Sequence, residues 1–209
     1  FTGFDLELAA EVAKRLGMEI KYQPIAWDAK EMEIESGNID VIWNGFTSTG
    51  RENDYTWSKP YMENKQVFVV SKDSGITKVE DLKGKKVEVQ VDSSGEKALA
   101  ENKELSDSFA ELITTADYNT AFQDLEMGAT DAVAMDIIVA AYQLKKRGDG
   151  KYIILEDEPI STEEYGIGFK KGNTALRDAV DAKLVEMAAD GTLKSVSEKW
   201  FDTDVTTIK

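Results

Sequence analysis

Apolar residues recur at Leu8, Val12 and Leu16 and the run stops at Gly17. This spacing predicts a helix with one buried face, capped at its start by Asp5 and ended by glycine. The period then shortens: Met18–Ile25 (MEIKYQPI) predicts a strand, a charged helix follows from about Asp28 to Glu35, and Ile39–Trp43 predicts a second strand. Gln66–Val70 (QVFVV) is apolar and β-branched, as a strand buried on both faces requires. A new series follows: helix KVEDL, strand KVEVQV, turn DSSG, helix EKALAEN, strand ELITT, helix YNTAFQDLEMG, strand TDAVAM and helix IIVAAYQLKKR. Strand YIIL, a buried strand Tyr165–Phe169, a long helix carrying Leu176, Val180, Leu184 and Met187, and a short helix with Val196 and Trp200 complete the chain. Strands alternating with helices predict an α/β protein with mostly parallel sheets.

One pattern repeats. ESGNIDVIWNG from Glu35 and EMGATDAVAMD from Glu126 share a helix end, a glycine, an apolar strand and a polar strand exit. Any α/β unit can produce this; so can two related lobes that each present a strand exit to a ligand. Ligands of open α/β sheets bind beyond the carboxyl ends of strands, which directs attention to those exits.

Composition narrows the chemistry. The 209 residues, with an apolar fraction of 42%, can bury one large core or two smaller ones. No apolar run approaches the roughly 20 residues of a membrane helix. Forty acidic against 25 basic residues, a formal net charge of −15, argue against nucleic acid as a partner. Cysteine and histidine are absent, which excludes thiol nucleophiles, imidazole bases and the usual zinc sites, and neither a cofactor nor a metal is expected. The sequence opens on FTGFD rather than on methionine, so upstream residues, with any targeting leader, are expected to be removed or unrecorded.

Against that negative charge, an arginine on a polar turn needs a reason. The turn after Trp43 offers Asn44, Gly45, Thr47 and Arg51: glycine for close backbone approach, threonine for N–H and O–H donors, and a planar guanidinium fork suited to a carboxylate. A surface ion pair of Arg51 with Glu52 or Asp54 is the plainer role. In the second half, Asp92–Gly95 leads into a helix whose N-terminus can be capped or can bind an anion. Asp136, before another helix, is either its cap or a receptor for an ammonium group. Arginine and aspartate together complement the zwitterion shared by free amino acids, and both are charged at neutral pH. Trp27 can stack on a ligand side chain, whereas Trp43, Trp57 and Trp200 read as core.

GFDLELAAEVAKRLG, SGNIDVIWNGFTSTGRE, WSKPYMENKQVFVV, VEDLKGKKVEVQ, ATDAVAMD, YGIGFKKGN and DGTLKSVSEKWF, in this order, resemble the polar amino-acid-binding proteins of ABC importers, the family 3 extracellular solute-binding proteins. The resemblance implies a two-lobed fold of the type II periplasmic-binding-protein kind, each lobe a mostly parallel sheet flanked by helices. Residues 1–64 and 166–209 would form the first lobe and 65–165 the second. It also implies a free amino acid as ligand, a membrane permease as partner, no nucleic acid, a monomer, and an extracytoplasmic location in the periplasm or as a surface lipoprotein.

Carried over by position, the carboxylate-binding arginine falls on Arg51, with turn contacts at Asn44, Gly45 and Thr47, although TSTGRE is one residue shorter than the family's spacing. The ammonium-binding aspartate falls on Asp136. The family's glycine-hydroxyl turn falls on Asp92, Ser93 and Ser94, with aspartate in place of glycine, and Trp27 and Gln90 match positions facing the ligand side chain. The strand and aromatic loop that precede GFD in the family lie outside these residues. The rivals are an enzyme on the same scaffold, a dehydratase for example, with Glu163 or Glu164 as general acid, and the ligand-sensing domain of a larger receptor.

Overall fold

The computed structural model describes residues 1–148 and 150–209. Its elements, in chain order, are α1 (Phe4–Leu16), a 3-10 turn (Trp27–Ala29), α2 (Lys30–Ser36), β1 (Val41–Ile42), β2 (Thr56–Trp57), β3 (Met62–Ser71), β4 (Lys86–Gln90), α3 (Ser94–Glu101) and α4 (Lys103–Ser106). There follow β5 (Glu111–Thr115), α5 (Tyr118–Met127), β6 (Ala132–Asp136), α6 (Ile137–Arg147), β7 (Tyr152–Leu155), β8 (Ser161–Tyr165), β9 (Gly168–Phe169), α7 (Thr174–Ala189) and α8 (Thr192–Phe201). The chain divides into two compact units: Phe1–Ile25, Ala29–Glu63 and Glu163–Lys209 form the first, Ala26–Asp28 and Asn64–Thr162 the second. The paired strands β3 and β8 each begin in one unit and end in the other.

The second unit is built on a sheet of order β5-β4-β6-β3-β7, with β8 also on β3. Its β4–β5 and β4–β6 ladders are parallel, and β3 runs antiparallel to β6 and β7. Both faces are covered, which is why the run VFVV at residues 67–70 is apolar throughout. Phe68 and Val70 join Val87, Val89, Leu99 and Phe109 on one side, while Val67 and Val69 join Phe122, Leu125, Val133 and Met135 on the other. Burying each such side chain contributes about 1.5–3 kcal/mol.

The first unit relies on helices. Leu8 and Val12 of α1, Val180, Leu184 and Met187 of α7 and Leu193 of α8 are buried, and the three helices contact one another. Arg15 fastens them from outside, bonding Asp190 at 2.7 Å and the Thr192 hydroxyl at 2.9 Å. The sheet here is β1-β9-β2, antiparallel throughout and only two residues deep, which corrects the expectation of a mostly parallel sheet in this half.

Other expectations change as well. Met18–Ile25 forms no ladder among the described residues, because an extended segment becomes a strand only when a neighbour accepts its hydrogen bonds. KVEDL closes as a 3-10 turn, Val79–Leu82, and the run Tyr165–Phe169 is split, since β8 ends at Tyr165 and β9 starts at Gly168. Asp5 caps nothing: the N-cap of α1 is Gly3, and Asp5 lies within the first turn. Trp43 is core, but Trp57 and Trp200 are half-buried, their indole N–H groups bonded to the Arg51 carbonyl and to Glu7. The repeated pattern has a structural basis, since Gly37 and Gly128 end α2 and α5 in the left-handed conformation, at φ 78° and 72°.

Candidate functional site

The candidate residues form two groups, one built within each unit. In the first unit the chain leaves β1 through Asn44, which is exposed, and turns at Gly45, whose φ of 57° is left-handed. A β-carbon at Gly45 would lie 3.4 Å from the Tyr165 ring, so both conformation and space favour glycine. The Gly45 amide donates to Asp5 Oδ2 at 2.6 Å, so what this residue offers a ligand is close approach. Phe46–Ser48 then runs beside Glu164–Gly166, with Ser48 N donating to the Glu164 carbonyl and Gly166 N to the Phe46 carbonyl, both at 2.9 Å. Thr47, at 2% exposure, donates its hydroxyl to Glu163 Oε1 at 2.7 Å.

Arg51 closes the turn through its amide, which donates to the Ser48 carbonyl at 2.9 Å. Its Nη1 donates to the Thr47 carbonyl at 3.3 Å, and the guanidinium lies 5.6 Å from the centre of the Phe46 ring. These contacts orient the guanidinium fork.

The second unit holds Asp136 at the end of β6, at 8% exposure. It occupies the N-cap position of α6, yet its side chain makes no capping bond, which corrects the cap alternative. Its carboxylate instead accepts from Asn64 Nδ2 at 2.7 Å, Gln66 Nε2 at 2.8 Å and the Tyr118 hydroxyl at 3.3 Å. Gln66 stands directly opposite Asp136 in the antiparallel β3–β6 ladder, and Asn64 lies two residues away on the same face. All three donors are neutral. They orient the carboxylate.

Gln66 Nε2 also donates to Ser94 Oγ at 3.0 Å, which ties the start of α3 to Asp136. The absence of a side chain at Gly95 makes room for this, since a β-carbon there would fall 2.8 Å from Gln66 Oε1. Ser93 caps α3 by accepting from Glu96 N at 3.1 Å, and Glu96 accepts in return from Asp92 N at 2.6 Å. Asp92 adopts φ 55°, so it takes the left-handed conformation that the resemblance gives to glycine, and aspartate tolerates it better than most residues. Gln90 ends β4 half-buried, with Nε2 on the Ala116 carbonyl at 3.0 Å. Trp27, half-buried, opens the 3-10 turn before α2 and groups with the second unit.

Asn64, Gln66, Tyr118 and Tyr61 were not singled out by sequence, and Asp5 was read only as a helix cap. The one legible signal was polarity inside an apolar run: Gln66 heads QVFVV and is fully buried. Of the two glutamates that an enzyme would recruit, Glu163 is buried against the Thr47 hydroxyl, and Glu164 is exposed.

Two α/β units joined by paired strands, with an arginine turn in one and an oriented aspartate in the other, define a two-lobed solute-binding protein. The chain belongs to the bacterial extracellular solute-binding proteins, family 3, whose model matches residues 1–203. It is 38% identical to the L-cystine-binding protein TcyJ of Escherichia coli (strain K12) over 98% of this chain and 76% of that one. A histidine-bound substrate-binding protein of an ABC uptake transporter from Streptococcus pneumoniae superposes with a TM-score of 0.93 at 34% identity, covering 99% of this chain and 85% of the other. An ancestral amino acid-binding protein, described as a precursor of cyclohexadienyl dehydratase, reaches a TM-score of 0.84 at 32% identity over 96% and 86%. No helix among the described residues is long and apolar enough to cross a membrane.

Proposed function

We propose that this protein is the substrate-binding component of an amino-acid ABC importer. It captures a free L-amino acid with a polar or cationic side chain by closure of its two lobes and delivers it to a membrane permease. Arg51 takes the α-carboxylate, with Asn44, Gly45 and Thr47 shaping the turn around it. Asp136 takes the α-ammonium, Ser93 and Ser94 line the start of α3, and Trp27 and Gln90 face the ligand side chain.

The observation that carries this reading is the pairing of charges: a guanidinium in one unit and an aspartate in the other, each oriented by partners within its own unit. A ligand that touches both lobes shifts the population toward the closed form by its differential affinity for that form. The relatives support the reading, one binding L-cystine and one holding histidine. The protein would act as a monomer outside the cytoplasm, in the periplasm or tethered to the cell surface by lipid.

Isothermal titration against the twenty amino acids tests this. One or a few should bind, and Arg51→Ala should weaken the best of them by at least about 30-fold, as when a buried charge loses its partner. Binding by none, or wild-type affinity in Arg51→Ala, would remove the reading. The ancestral relative favours a check for dehydratase activity, in which turnover of a cyclic dienyl acid lost on Glu163→Gln would replace a binding role with a catalytic one.

A further inference from the structure

We infer that Asp5 is a positioning residue for the ligand-contacting turn, its carboxylate fixing the Gly45 amide and the Tyr61 hydroxyl and thereby setting the course of the Asn44–Thr47 backbone. The amino-acid-binding reading is needed only for what that turn touches; the positioning rests on the first unit alone.

Asp5 is buried, at 9% exposure, and its own helix does not use its side chain. Both oxygens instead serve other segments. Oδ2 accepts the Gly45 amide at 2.6 Å, and Oδ1 accepts the Tyr61 hydroxyl at 2.8 Å. A carboxylate is seldom kept inside a protein without strong partners. Gly45 is also the residue whose left-handed φ turns the chain toward Thr47 and Arg51.

Tyr61 links the same carboxylate to the paired strands. Its side chain is fully buried, its amide donates to the Tyr165 carbonyl at 3.0 Å, and its carbonyl accepts from Thr207 N at 2.9 Å. Tyr165 in turn forms a bridge with Thr47 and lies against Gly45. Asp5, Gly45, Tyr165 and Tyr61 therefore form a closed ring of contacts around the turn, with Asp5 the charged member.

The ring has a titration of its own. Burial pushes the Asp5 carboxyl up from 3.8 to about 6, with the Gly45 amide and Tyr61 hydroxyl pulling the other way. Tyr61 is the titratable group in contact with it, and burial followed by the Asp5 charge holds that hydroxyl well above its ordinary range, so it stays protonated while Asp5 titrates. The segment after β1 contributes only an amide. On the helices packed against α1, Lys199 of α8 bonds Glu7, and Glu186 and, beyond α7, Asp190 bond Arg15. Ionised Asp5 holds its two donors by charge-assisted bonds, and protonation weakens that hold.

The test follows the Gly45 amide by NMR in uniformly labelled protein from about pH 4.5 to about 7.5. In the wild type its shift should move with a midpoint near 6. The movement should vanish in Asp5→Asn. In Tyr61→Phe, which lacks a donor favouring the ionised form, the midpoint should rise; this variant serves if Asp5→Asn does not fold.

Calorimetric affinity for L-arginine, L-cystine and L-glutamine, none of which changes net charge appreciably between about pH 4.5 and about 7, should weaken about fivefold as the pH falls through the transition, and stay level in Asp5→Asn. An amide that does not titrate, or that still titrates in Asp5→Asn, overturns the inference. So does a titrating amide accompanied by level wild-type affinity. Should the wild type bind none of the three while the amide titrates as described, the positioning stands and the choice of ligand falls.

Discussion

The two charged residues of the candidate site are held by different means. Asp136 ends a five-residue strand buried on both faces, and two of its three donors come from the neighbouring strand, in register. Arg51 follows a strand of only two residues, on a turn shaped by side chains: Asp5 on Gly45, Glu163 on Thr47, and the Trp57 indole on the Arg51 carbonyl. A deep sheet positions a functional group largely through ladder register. A shallow one leans on side chains to do the same, among them the buried Asp5 carboxylate, whose raised pKa gives this turn a dependence on pH.

The largest effect should come from Asp136→Ala. Removing one charged partner, and with it an acceptor of Asn64 and Gln66, should cost about 2–5 kcal/mol of binding, about 30-fold to about 4,000-fold in Kd by calorimetry. A loss below about tenfold would mean that the deep-sheet half does not carry the ammonium.

The shallow half should reveal itself in stability. Because the Asp5 carboxyl is raised from 3.8 to about 6, the folded protein holds a proton that the unfolded chain has released between those values. Its contribution is complete below about pH 4 and is lost as pH rises through about 6, a loss of about 3 kcal/mol. Urea denaturation across this window should show the decline in the wild type and not in Asp5→Asn. Equal slopes would deny the contrast between the halves.

Gln66→Leu breaks the link between Asp136 and Ser94 and should weaken ligand binding about tenfold, at about 1–2 kcal/mol for polar groups left unsatisfied. Unchanged affinity would show that Asn64 and Tyr118 suffice to orient Asp136. Ser93→Ala, which deletes only the cap of α3, should lower stability by about 1 kcal/mol in the same denaturation assay.

What sequence reading recovered follows the same division. In the second unit β3 to β7 were legible and β8 was not, because the apolar runs of VFVV and AVAM, buried on both faces, mark them without reference to any partner, whereas STEEY carries no such run. The first unit was less so. Met18–Ile25 has a strand's composition and forms no ladder, and the long strand predicted at Tyr165 is interrupted, because pairing depends on which segment lies alongside. Arg51, Ser93 and Asp136 could be singled out as candidates because charge and hydroxyl at strand exits are local signals. Asp5 was read as a cap because its helix is near in sequence, whereas its partners, Gly45 and Tyr61, are distant.

Sequence by itself determined the main helices and central strands, through the periodicity that burial imposes, and marked the charged candidates at the strand exits. Only the tertiary structure decided how those charges are aimed. The groups that aim them, Asn64, Gln66 and Tyr118 on Asp136, and Asp5 and Tyr61 on the arginine turn, act across long stretches of chain. A hydrogen bond depends on distance and direction in space, and neither is written in the spacing of residues.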